Sequence, residues 1–84
     1  MRINYELRKI EKWATDNNFQ VIRTDMWSGG RLVVMVRDET WRGKGEVFIV
    51  GMPGVNSRGD VSLVEMSVHH SYEAAEQKLE GGKK

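Results

Sequence analysis

An α+β domain is predicted by three features of the sequence: apolar residues at helical spacing near the start, four runs of strand character after them, and a short second amphipathic stretch opened by a serine. The element order is therefore α-β-β-β-β-α. Strands that follow one another through short glycine turns form an antiparallel meander, and the two helices are expected together on one face of that sheet.

Ile3, Leu7, Ile10 and Ala14 recur at steps of four, three and four, with Trp13 beside them, which defines the first helix. Asp16-Asn17-Asn18 supplies residues that tolerate the left-handed backbone at its end. From Phe19 the period becomes two, and a strand runs to about Met26 before the turn Trp27-Ser28-Gly29-Gly30. Leu32 to Val36 and Val47 to Val50 are apolar at every position. Met52-Pro53-Gly54 is expected to end the third strand, because proline cannot donate to a ladder. A fourth strand spans Val61 to Val68, interrupted by Glu65, and Ser71 caps a second helix carrying Tyr72, Ala75 and Leu79 on one side. Gly81-Gly82 stops it, so one domain is read over 1–80 with a flexible tail over 81–84.

Composition narrows the function. With 84 residues there is room for one core, and 39% hydrophobic with 30% charged residues is a folded balance. A net charge of +1 announces neither a strongly basic nucleic-acid binder nor an acidic DNA mimic. The absence of cysteine removes disulfides, thiol nucleophiles and cysteine zinc sites, and fits a reducing, cytoplasmic setting. The N-terminal stretch is polar and amphipathic and no run approaches membrane-span length, so neither a signal region nor a membrane span is expected. No cofactor, metal or small-molecule substrate is implied.

The second strand carries the main functional expectation. Val33 and Met35 point opposite to Leu32, Val34 and Val36, and two short helices on one face leave the other uncovered. A homodimer through the sheet, or a partner protein there, is expected to shelter them. Trp27 and Trp41 stand at the two hairpin tips, and Trp41-Arg42-Gly43-Lys44 has the composition of a binding hot spot. The partner-binding set is thus Trp27, Trp41, Arg42, Lys44, Val33 and Met35. An alternative set for nucleic acid comprises Arg31, Arg37, Arg42, Lys44 and Trp41, although the loop from Arg37 to Glu46 balances three basic against three acidic residues.

Other motifs carry less. Gly43-Lys44-Gly45 lacks the spaced glycines and following hydroxyl of a phosphate loop. Arg58-Gly59-Asp60, the integrin-ligand tripeptide, reads as a turn. His69 and His70 are neighbours on a strand and point to opposite faces, so they do not converge on one metal, and no nucleophile or second acid stands beside them in a motif. The chain is expected to be no enzyme.

Three resemblances extend this reading. The opening helix, the strand with Arg23 and the following glycine turn resemble the HicA-type ribonuclease toxins, but Ser28-Gly29-Gly30 lacks their catalytic histidine. The double-stranded-RNA-binding domain they are built on begins its last helix with lysines, where this chain has Ser71-Tyr72-Glu73. Met1-x-Ile3-Asn4-x-x-x-Arg8-x-Ile10 resembles the start of a family of small phage-encoded anti-CRISPR proteins, which also pass from a helix into a meander. That resemblance implies a phage or mobile-element inhibitor acting by protein binding. It transfers no site residue, and that family is strongly acidic whereas this chain is nearly neutral.

Overall fold

Leu7, Ile10 and Ala14 give α1 (Arg2–Asp16) its inward stripe, and the chain leaves the helix through Asn18, whose φ of 61° is the left-handed turn expected of asparagine. The computed structural model describes residues 2–82, with side chains from Leu7 onward. Ile3, the first residue of the expected stripe, is helical, and its side chain lies outside the described part. Four strands follow, β1 (Phe19–Trp27), β2 (Arg31–Asp38), β3 (Phe48–Val55) and β4 (Val61–His69), then α2 (Tyr72–Gly81). The sheet order is β1-β2-β3-β4 and every pairing is antiparallel, so the meander is as expected.

The helices do not share a face. Val33 and Met35 of β2 pack with Phe48, Val50 and Met52 of β3 beneath Ala75 and Leu79 of α2. Leu32, Val34 and Val36 pack with Leu63 beneath Ile10 and Ala14 of α1. The molecule is a three-layer α/β/α arrangement, and the expectation of both helices on one face is corrected. The reason lies in β2 itself. A strand apolar at every position sends alternate side chains to both sides, so each side needs its own cover, and one amphipathic helix supplies each.

Two further corrections concern ends of elements. β3 runs through Pro53, which pairs with Leu63 of β4. The ladder between β2 and β3 stops at Gly51, so beyond it β3 has a neighbour on one side only and a residue without an N–H is tolerated. Gly81 closes α2, and Gly82 accepts a hydrogen bond from the Ser28 N–H at 3.4 Å, so the domain reaches Gly82 and only Lys83 and Lys84 of the expected tail lie outside the described residues. The Ser71 cap is as expected, its hydroxyl accepting from the Ala74 N–H at 3.1 Å.

Both outer strands carry a bulge. In β1, Val21 opposes Val36 and Arg23 opposes Met35, so Ile22 is an extra residue and packs against the α2 core. That shift aims Arg23 at α2, where it pairs with Glu76 at 3.1 Å and Glu80 at 2.5 Å, while also meeting Asp25 at 3.2 Å. In β4, Ser67 opposes Val50 and Val64 opposes Met52, leaving Glu65 and Met66 across from Gly51 alone. Glu65 takes a φ of 51°, a conformation that a side chain with a Cβ adopts at a cost of about 1–2 kcal/mol.

Candidate partner-binding surface

The residues that the sequence offers for binding divide sharply once folded. Val33 and Met35 are fully buried under α2, so they contact no partner, and the case for a dimer across this part of the sheet falls with them. Trp27 is half-buried against the same core. Its indole N–H donates to the Leu79 carbonyl at 2.7 Å and its ring lies so close to Gly82 that a Cβ there would collide with it. Trp27 is a lid on the α2 core, tying the first hairpin to the end of the last helix.

Trp41 has the opposite character, with 42% of its surface exposed. Its indole N–H donates to the Lys44 carbonyl at 3.2 Å, the ring rests on Gly43, and its other contact is edge-on with His70 at 6.3 Å between centroids. The β2–β3 loop is therefore closed on itself and leans on the junction between β4 and α2. At its foot is an open depression of about 210 Å³ bordered by Arg37, Asp38, Glu39, Trp41, Gly45 and Glu46.

The basic set separates in the same way. Arg31 reaches Glu65 at 3.1 Å, and Arg37 bonds Gln20 at 2.6 Å and Glu46 at 3.3 Å, with Glu39 at 3.9 Å. Both are spoken for within the fold. Arg42 and Lys44 make no ion pair among the described residues. In the Arg58-Gly59-Asp60 turn, the Asn56 side-chain oxygen accepts from the N–H of both Arg58 and Asp60, and Gly59 has a φ of 84°, which is the geometry of a closed turn.

An apolar surface that sequence reasoning missed lies on β4. Val64, Met66 and Val68 are 39%, 53% and 58% exposed on a strand with no neighbour on its outer side. Val68 opposes Ile49 of the α1 core, and a Cβ on Gly51, across from Val34 of that core, would approach the Met66 side chain at 3.0 Å. Met66 and Val68 thus share the α1 face, while Val64 opposes Met52 and folds over Gly54 on the α2 face. The sequence did hold a signal. Val61 and Leu63 occupy odd positions and Met66 and Val68 even ones, and a single face can hold all four only if an extra residue intervenes.

His69 extends this strand, its Nε2 lying 2.8 Å from the Ser67 hydroxyl. Burial, reinforced by the charges of Lys78 and His70, holds its pKa below the usual imidazole value. A histidine with a folded pKa below its unfolded one leaves the unfolded chain with more protons in acid. Its contribution to stability is therefore present above the unfolded pKa of about 6.5 and lost as pH falls through the folded one. Denaturant midpoints at about pH 7.5 and about pH 5.5 should show the wild type losing more stability on acidification than His69→Gln. Among the described residues, no group of three or more histidine, aspartate or glutamate side chains is placed to hold a metal ion, and no helix is long and apolar enough to cross a membrane. No protein-family model, curated protein or solved structure matches the chain.

Proposed function

We propose that this protein is a non-catalytic protein-binding module that meets its partner along the outer side of β4. The observation that carries this reading is the exposure of Val64, Met66 and Val68 on an unpaired edge. Sheet edges invite an added strand, and an apolar rim beside one favours side-chain packing from the same partner. Burying a valine or methionine fully is worth about 1.5–3 kcal/mol. At their present exposure the three retain roughly 2–4 kcal/mol of unrealised burial, or about one and a half to three powers of ten in affinity.

Replacing both Met66 and Val68 with aspartate tests this. Nearly half of each side chain is buried, so thermal or urea unfolding should shift by about 1–3 kcal/mol and leave the variant folded. Capture of the partner from the native host's lysate should fall at least roughly tenfold. Undiminished capture by this folded variant would remove β4 as the contact surface. The resemblance of the first ten residues supports a narrower form of the reading, a phage or mobile-element inhibitor of the anti-CRISPR type in a cytoplasmic setting. Co-purification with a CRISPR nuclease would test that form. A homodimer through β4 would appear as a doubled mass by light scattering, abolished in the same double variant.

A further inference from the structure

We infer that the β2–β3 loop is a second binding site, for single-stranded nucleic acid, independent of the β4 surface. Folding sorts the charges of this loop. In sequence the segment from Arg37 to Glu46 is neutral. In the structure its three carboxylates are all engaged. Asp38 accepts from the Thr40 N–H at 2.9 Å and the Thr40 hydroxyl at 2.6 Å, while Glu39 and Glu46 lie at 3.9 and 3.3 Å from the Arg37 guanidinium. Arg42 and Lys44 are left with no carboxylate among the described residues. Two cations without a carboxylate among the described residues therefore follow Trp41 in the loop.

Trp41 is held in place before any ligand arrives. Its indole N–H is fixed to the Lys44 carbonyl, Gly43 supports the ring, and 42% of the side chain remains exposed. An ordered aromatic surface on the same short loop as two positive charges fits a ligand that alternates planar rings with negative charges. A single nucleic-acid strand has that chemistry, with a base stacking on the indole and the phosphates on either side meeting Arg42 and Lys44. Because every base presents a π face, the site reads no particular sequence. Arg31 and Arg37 take no part, since Glu65 and Glu46 already neutralise them.

The charge count fixes a quantitative signature. Two phosphate contacts to a single strand give a slope of about −1.4 for log K against log salt concentration. The experiment is fluorescence anisotropy of a labelled oligothymidylate of roughly 12 nucleotides, within the usual site size, titrated with the full chain from about 20 to about 200 mM salt. Wild type should bind with that slope. Arg42→Ala combined with Lys44→Ala, both exposed and unpaired, should flatten the slope toward zero and weaken binding at low salt at least roughly tenfold. Trp41→Ala should weaken it about 5- to 150-fold with the slope retained.

Absence of binding at about 20 mM salt would overturn the inference, as would a slope that the Arg42/Lys44 double variant leaves unchanged. Polyglutamate of matched length binding as tightly as the oligonucleotide would also overturn it, in favour of an acidic protein segment.

Discussion

Truncating Leu79 to alanine is expected to cost the domain about 2–5 kcal/mol. A chain of this size has roughly 4–13 kcal/mol in all, so the loss takes a large share of the total and brings the variant to the edge of unfolding where that total is at the low end. Leu79 is fully buried and, with Ala75, is what α2 places over Val33, Met35, Val50 and Met52. Its carbonyl also accepts the Trp27 indole N–H, so loosening the helix releases the lid of the first hairpin as well. Urea titration measures the loss, and binding of a hydrophobic dye at sub-denaturing urea reports uncovering of the α2 face. A change below about 0.5 kcal/mol would mean that α2 does not close this face.

Ile10→Ala should produce a loss of the same size, about 2–5 kcal/mol, from the other side of the sheet. Ile10 is fully buried against Leu32, Val34, Val36 and Leu63, and shares no core partner with Leu79. The two sites should therefore be energetically independent. Because both truncations together would remove about 4–10 kcal/mol, comparable with the whole stability, independence is best read with the milder Ile10→Val, which costs about 0.5–1.5 kcal/mol alone. Combined with Leu79→Ala, its effect should add within about 0.5 kcal/mol. Strong coupling would show that the two apolar clusters behave as one core.

What was legible in the sequence follows from the range of the physics involved. The helical stripe ending at Ala14, the Asn18 exit, the existence and order of the four strands and the Ser71 cap depend on residues within a few positions of one another, and each stands where the local pattern puts it, the end of the third strand excepted. Which face each helix covers depends on contacts between residues far apart in the chain. The sequence showed that Val33 and Met35 needed shelter, and left open whether a partner or α2 would provide it. Pro53 stays in its strand because β2 has already parted from β3, which no local rule reveals. Among the site residues, Trp27 and Trp41 look alike as tryptophans at hairpin tips, and they part because the first meets the α2 core and the Leu79 carbonyl whereas the second bonds within its own loop. The β4 surface was hidden by Glu65, which in an unbulged strand would break the apolar face and in the folded one is the extra residue that joins its two halves.

Each of those tryptophans sits on a glycine, Trp27 on Gly82 and Trp41 on Gly43. Gly82 has a φ of −80°, and neither glycine is among the residues with positive φ, so any amino acid could take up either backbone. What these positions forbid is bulk. In a saturation scan larger residues at Gly82 should be costly because the Trp27 ring is held by the α2 core, and at Gly43 they should displace the Trp41 ring, whereas Gly29, with a φ of 86° and open space around it, should accept asparagine or aspartate. The glycines that look dispensable from their torsion angles are the ones that seat the two largest side chains of the hairpin tips.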